Sequence, residues 1–323
     1  MIVNLFRHTQ AISILSLLGL SLFLWMGISF QETTLNTYIK NPFFDYFFKP
    51  IINYKFLERI IVTALILWQS VFINKLFVGQ KILSSNSFYP AFFYFILMSL
   101  WPQTIHLSPE LVALSFILIS INKTISLYLS KEAYSTVFEV SFFGSFAVLF
   151  HPPFIIFIPM IWIGMSIFSQ TEWRHWILSL LALFSPWIIL LSLKNYFNIQ
   201  TLKLVDIFSV LFTEKQATNI NTIETIGIGM LILLFLICSN ELMSSLSRKN
   251  IKARKSYIYL LWFFPFSVVY FFISPSIIWY KLIIVNVPFT AILSNYFYYN
   301  QKSKRLNFIG FSFLVFLFTM HFS

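Results

Sequence analysis

This chain of 323 residues is 58% hydrophobic and only 10% charged, and it carries a net charge of +11. Soluble domains average about 25% charged residues, so the chain has too little polar surface for a sizeable soluble domain. Its one cysteine, Cys238, excludes a disulfide within the chain and a cluster of thiolate ligands. In so apolar a protein, excess Lys and Arg are typical of the cytoplasmic ends of membrane helices, and no nucleic-acid partner is expected.

Hydrophobic runs follow one another along most of the chain. They predict an all-α fold, a polytopic transmembrane helix bundle that forms a single integral membrane domain over residues 1–323. A helix needs about 20 apolar residues to cross a bilayer. We predict about eleven spans, at residues 11–30, 60–77, 88–105, 111–129, 138–150, 154–168, 176–193, 223–239, 257–272, 282–298 and 308–322.

The fifth and sixth runs are short, and the sequence His151-Pro152-Pro153 separates them. Proline breaks a helix because it lacks the backbone N–H and restricts the preceding residue. The pair at 138–168 is therefore either two thin spans or a re-entrant hairpin whose tip lies inside the membrane. Both alternatives leave the sidedness of the other spans unchanged.

The distribution of Lys and Arg predicts the orientation. Short connections on one side carry fourteen of these residues, and short connections on the other side carry only Lys281. Because positive residues accumulate in cytoplasmic loops, we expect the N-terminus to lie in the cytoplasm. For a bacterial protein this indicates a multi-pass protein of the inner (cytoplasmic) membrane.

Two connections have room for more than a turn. Residues 31–59 and 194–222 fall on the external side, and their apolar residues suggest interfacial helices; for 194–222 a plain polar connection is nearly as well supported. The connection 240–256 is basic and cytoplasmic. We expect five of its residues to contact anionic lipid head groups: Arg248, Lys249, Lys252, Arg254 and Lys255.

The candidates for chemistry lie in the external connections. Glu32 and Asp45 are candidate catalytic bases for a hydroxyl acceptor. Three further residues, His106, Glu110 and His151, are candidates for binding substrate, since a histidine can neutralise a lipid phosphate. The alternative is that all five are ordinary solvated loop residues. Histidine spacing predicts no metal site, and no cofactor motif is present.

Short segments of the chain resemble an uncharacterised family of Bacteroidota multi-pass inner-membrane proteins. These segments are Phe6-Arg7, Ser85-Asn86-Ser87-Phe88-Tyr89, Phe138-Glu139-Val140-Ser141, Phe150-His151-Pro152-Pro153, Val285-Asn286-Val287-Pro288-Phe289 and Tyr296-Phe297. The resemblance covers most of the chain. It implies an inner-membrane location and no catalytic residue.

The layout also resembles that of membrane glycosyltransferases that use polyprenyl-phosphate sugar donors, the GT-C superfamily. In both, a cytoplasmic N-terminus precedes the first span, an acidic residue follows it closely (here Glu32), and longer external loops follow the first and seventh spans. The chain departs from the superfamily in having Gln31-Glu32 where an Asp-containing pair is commoner, and in lacking a large C-terminal soluble domain. The resemblance implies a transferase that acts on polyprenyl-phosphate-linked sugars at the periplasmic face.

Two alternatives to a transferase remain. A non-catalytic structural subunit of an envelope or secretion complex fits the Phe-rich, weakly polar composition, with other membrane proteins as partners. A transporter is disfavoured by the eight glycines and by the absence of charge near the centre of any predicted span.

Overall fold

The computed structural model describes residues 11–29, 41–83, 87–104, 106–130, 132–168, 172–196, 204–209, 211 and 222–300. Within these ranges the regular structure is helical and no strand occurs. The helices are α1 (Ala11–Ser29), α2 (Pro42–Ile52), α3 (Lys55–Gly79), α4 (Tyr89–Met98), α5 (Pro109–Ser126), α6 (Ala133–Phe150), α7 (Ile158–Ile167), α8 (Trp173–Tyr196), α9 (Leu204–Ser209), α10 (Thr222–Ser245), α11 (Ile251–Leu261), α12 (Phe263–Ile273) and α13 (Ile278–Tyr299). Short 3₁₀ helices occupy Pro102–Thr104, Pro152–Phe157 and Leu246–Arg248.

Among the described residues, seven helical segments could cross a membrane by length and composition, so the expectation of an all-α membrane protein holds at that level. They comprise α3, α5, α6, α8, α10 with the 3₁₀ turn after it, α11 joined to α12, and α13. Three shorter apolar helical segments lie at Ser13–Leu22, Tyr89–Met98 and Pro152–Ile167. The run at 308–322 lies outside the described residues, and the number of spans and their orientation remain predictions.

Burial divides the helices into a centre and a periphery. In the apolar 18-residue stretch of α5 and in that of α13, 72% is buried inside the protein. The corresponding fraction is 28% in α8 and 22% in α10. The peripheral helices expose large apolar side chains, among them Phe184 and Leu236. Large apolar surfaces are unfavourable in water, and in a membrane they contact lipid tails.

The segment 138–168 forms a helical hairpin that packs along α5, with α6 running in one direction and α7 in the other. Helix α6 begins five residues earlier than the run predicted, and its first half pairs with the end of α5 through Glu139 and Lys123, 2.5 Å apart. Its last residue leads to His151, which lies beside Glu110 at the start of α5. Helix α7 then returns, and Gly164 packs so closely on Thr124, in the last turn of α5, that no Cβ would fit.

Side-chain contacts define two ends of the bundle. The Glu110 end comprises Glu58, His106, Glu110, His151 and Ser276, at the starts of α3 and α5, the end of α6 and the connection before α13. The Lys249 end comprises Gln80, Lys123, Glu139, Lys249 and Asn295, at the opposite ends of the same helices and in the connection before α11.

Candidate functional site

A buried glutamate forms the centre of the Glu110 end. Ser108 caps the start of α5 by accepting a hydrogen bond from the backbone N–H of Leu111, which places Glu110 in the first turn. Negative charge is favoured there by the helix dipole. The side chain is 1% exposed, and Ser276 donates a hydrogen bond to its Oε1 at 2.5 Å.

His151 is placed against this carboxylate by the Pro152-Pro153 break. Helix α6 ends at Phe150, and His151 adopts an extended backbone (φ −141°, ψ 93°) before the 3₁₀ turn. The turn directs its Nδ1 to 3.7 Å from Glu110 Oε1 and its Nε2 to 3.0 Å from the Tyr270 hydroxyl. Two candidate substrate-binding residues from separate connections therefore meet in the structure.

Tyr270 and two serines close the cluster from α12 and the connection that follows it. The Tyr270 hydroxyl also interacts with Ser274 and Ser276. The Ser274 hydroxyl lies 3.0 Å from that of Ser276 and donates to it. Serine, carboxylate, imidazole and phenol thus form one connected polar chain inside an apolar bundle.

The buried acid of this cluster has no cation beside it. Burial lowers the pKa of His151, and the nearby Glu110 carboxylate only partly opposes this shift, so the imidazole is predominantly neutral at pH 7. The other carboxylate oxygen, Glu110 Oε2, has no hydrogen-bond partner in the part of the chain that the structure describes. A buried carboxylate with no cationic partner is costly, and such groups concentrate at functional sites.

A second acid–histidine pair lies at the same end. His106 Nδ1 is 3.5 Å from Glu58 Oε1, and the backbone N–H of Leu107 donates to that oxygen at 3.0 Å. The side chains are 16% and 11% exposed, so this pair is more accessible than the Glu110–His151 pair. Tyr280 lies between the two pairs, close enough to both glutamates to be affected by their charges.

The two longer connections each contain a helix at this end. Asn41 caps α2 and donates from its side-chain amide to the carbonyls of Leu149 and Phe150, at 3.1 and 2.7 Å. Asp45 lies in the first turn of α2 and is partly buried. Helix α9 lies against α2, and its Phe208 stacks on Trp187 of α8.

The predicted site residues are thus only partly brought together. Glu110 and His151 are in contact, His106 lies in the neighbouring pair, and Asp45 lies on α2 at the same end. Glu32 lies outside the described residues. In the described part of the chain no group of three or more His, Cys, Asp or Glu side chains could hold a metal ion.

Four members of the site were not identified as site residues from the sequence. Glu58 had a usable signal, because an acid beside an apolar run is costly unless it is paired. Tyr270, Ser274 and Ser276 had none, since isolated hydroxyls are common within apolar stretches.

The basic residues of connection 240–256 divide into two groups at the Lys249 end. Arg248 and Arg254 are exposed. The other three turn towards protein groups: Lys249 Nζ donates to Asn295 Oδ1, Lys252 Nζ donates to Gln80 Oε1, and Lys255 lies over the ring of Tyr128. Only the two arginines are therefore fully directed outward.

Comparison with known proteins gives a family and no activity. No curated protein and no solved structure matches the chain. Residues 43–323 match a family of unknown function, DUF6427, a range that includes every described member of both acid–histidine pairs. Since the match covers most of the chain, this protein belongs to the DUF6427 family.

Proposed function

We propose that this protein is an inner-membrane component of the bacterial cell envelope, with about eleven spans and a cytoplasmic N-terminus, that acts as a GT-C-like transferase on polyprenyl-phosphate-linked sugars. One observation carries the proposal: Asp45, His106, Glu110 and His151 lie at one end of the bundle, opposite the basic connection. By the positive-inside rule, the Glu110 end then faces the periplasm.

His106 is the best-placed group for a phosphate. Glu58 accepts from the Leu107 N–H and lies beside His106 Nδ1, so it positions the ring while part of the ring remains exposed. A histidine N–H that donates to a departing polyprenyl phosphate would stabilise the negative charge that develops there. Glu58 is a positioning residue in this scheme.

Asp45 supplies the second part of the scheme. It lies on α2, whose Tyr46 and Phe47 are exposed, and such aromatic side chains are enriched at membrane–water interfaces. A carboxylate held there can remove a proton from a hydroxyl acceptor that approaches from the periplasm. Glu110 and His151, each 1% exposed, support these groups from within and do not touch substrate.

The test is a lipid and glycan profile of a deletion strain beside its parent, followed by complementation with variants. We expect the deletion to accumulate a polyprenyl-linked sugar or to lose an envelope glycan. His106→Asn and Asp45→Asn should fail to restore the parental profile. Glu139→Gln, which changes a glutamate at the Lys249 end, is the matched control and should restore it. A deletion strain with an unchanged profile would rule out the transferase.

A non-catalytic subunit is the second candidate. It is favoured by the burial of the Glu110 cluster, which solvent and substrate do not reach. Glu110 and His151 are inaccessible and bonded within the bundle, as in a rigid scaffold. The subunit predicts that His106→Asn and Asp45→Asn complement fully. It also predicts that a membrane protein co-purifies with the chain in fixed ratio.

A further inference from the structure

Lys249 occupies an enclosed position at the Lys249 end. Its Nζ donates to Asn295 Oδ1 at 2.6 Å and lies 3.9 Å from the centre of the Tyr299 ring and 5.0 Å from that of Tyr257. Asn295 and Tyr299 are four residues apart on α13, and Tyr257 belongs to α11, so the ammonium lies between two helices. The lysine is partly exposed, which leaves an approach from the membrane surface.

Two buried donors beside Lys249 lack partners. Asn295 is 1% exposed and Tyr257 is 0% exposed. Because Asn295 Oδ1 accepts from the lysine, its Nδ2 is left to donate elsewhere, yet neither Nδ2 nor the Tyr257 hydroxyl has a hydrogen-bond partner among the described residues. Native proteins leave few such groups unsatisfied, and each one is a candidate for an unseen ligand.

The charge at this position is also uncompensated. No carboxylate oxygen lies within 4 Å of Lys249 Nζ in the described ranges. Burial lowers the pKa of Lys249 to about 8. An anion with several acceptor oxygens would meet the ammonium, the amide and the hydroxyl together, whereas a single water would leave the charge unpaired.

We propose that Lys249, Asn295 and Tyr257 form a binding site for a phosphate group, carried by an anionic lipid or free in the cytoplasm. The phosphate oxygens accept from the Lys249 ammonium, from Asn295 Nδ2 and from the Tyr257 hydroxyl. This site lies at the end opposite the candidate transferase residues and does not depend on that function.

The test uses the purified full chain in detergent and measures its thermal unfolding by intrinsic fluorescence. The probes are inorganic phosphate and short-chain phosphatidylglycerol, with potassium chloride at matched ionic strength and short-chain phosphatidylcholine as controls. We expect at least one anionic probe to raise the melting temperature in a saturable way, while the controls leave it unchanged. No saturable shift with either anionic probe, or an equal shift with phosphatidylcholine, would overturn the proposal.

Two variants separate a ligand site from ordinary packing. Tyr257→Phe removes an unpartnered hydroxyl, so it should leave the stability of the ligand-free protein unchanged or slightly higher. It should weaken anion binding about tenfold or more, the effect of one hydrogen bond to a charged acceptor. Asn295→Asp gives Lys249 a carboxylate partner. It should stabilise the ligand-free protein and weaken the anion about tenfold or more.

Arg254→Gln is the matched control because Arg254 is exposed in the same basic connection. It removes one surface charge, so at physiological salt it should weaken the lipid by no more than about fivefold and leave the inorganic phosphate response unchanged. If Tyr257→Phe and Asn295→Asp both bind the anion as tightly as the wild type does, the proposal is wrong.

The two probes identify the source of the phosphate. Saturable stabilisation by phosphatidylglycerol alone assigns the site to a lipid head group. Stabilisation by inorganic phosphate as well assigns it to a phosphate group regardless of its carrier. Both results support the site.

Discussion

The two ends of the bundle hold their charged groups in opposite ways. At the Glu110 end a carboxyl group is 1% exposed and faces an imidazole whose pKa is lowered by burial, so no cation lies beside it in this cluster. At the Lys249 end an ammonium is only partly buried and lies over two aromatic rings. Position in the fold explains part of this difference, because Lys249 lies in a connection and keeps part of its side chain exposed, whereas Glu110 is held in the first turn of a buried helix.

The comparison shows which polar groups the fold itself requires. The Glu110 cluster joins the start of α5, the end of α6 and the connection before α13, so it is part of the packing of the bundle. Lys249 contacts α13 from a connection. Changes at the Glu110 end should therefore affect stability most, and changes at the Lys249 end should affect it least.

The largest effect is expected for Glu110→Ala. The Ser276 hydroxyl loses its acceptor and a cavity is left, so the free energy of unfolding should fall by about 2–4 kcal/mol. Glu110→Gln keeps both volume and acceptor while removing the charge, so it should change stability by less than about 1 kcal/mol. Thermal and denaturant unfolding in detergent would measure both variants. Equal losses in the two would contradict this account of the cluster.

Acid should destabilise the protein through His151. Its folded pKa lies below the ordinary value of 6.5, so at lower pH the unfolded chain binds a proton that the folded protein excludes. The His151 contribution is therefore fully present above pH 6.5 and is lost as the pH falls towards the folded value. Melting temperatures measured from pH 7.5 downward should decline less steeply in His151→Gln than in the wild type. Parallel curves would argue against a neutral buried imidazole.

Alkali should stabilise the protein through Lys249. In buffer without phosphate, its folded pKa of about 8 lies below the ordinary 10.5, so between these values the unfolded chain binds more protons. Stability should rise over that interval, by less than a fully buried lysine would give, because water screens the partly exposed ammonium. Lys249→Met should flatten this part of the curve. A rise of the same size in that variant would point to another group.

The smallest effect is expected for the ion pair of Lys123 and Glu139. The two side chains are 39% and 41% exposed, so water screens their attraction. Glu139→Gln should cost about 0.5 kcal/mol or less, and the loss should shrink further at high salt. A loss comparable to that of Glu110→Ala would mean that the two ends do not differ as described.

The sequence predicts the helical segments well because hydropathy is a local property. Its errors lie where polar residues interrupt a helix: α6 was predicted from residue 138 because Tyr134, Ser135 and Thr136 weaken the apolar run, yet the helix begins at Ala133. The run at 88–105 was predicted as one span, but α4 ends at Met98 and a 3₁₀ turn follows at Pro102. The polar residues at its start made the predicted α6 too short. Pro102, which cannot continue a helix, accounts for α4 being shorter than predicted.

The candidate site was predictable only in part because it depends on contacts between distant segments. Charge counting placed Glu110 and His151 on one side of the membrane, but their contact depends on the packing of α5 against α6. Ser276 reaches Glu110 across 166 residues of sequence, and nothing near Ser276 indicates this. The inward turn of Lys249 onto Asn295 is equally invisible, since a basic loop is normally expected to face lipid head groups.

The contact made by Asn41 has a consequence for biogenesis. Its amide binds the carbonyls at the end of α6, 108 and 109 residues later in the chain, while its oxygen accepts the Phe43 N–H at the start of α2. During synthesis α2 therefore emerges well before its anchor exists, because a ribosome adding roughly 5–20 residues per second needs roughly 5–20 seconds to supply it. Over that interval α2 can pack against α3, the helix that directly follows it, but not against α6. Its docking against α6 consequently has to wait until the chain has been made as far as Phe150.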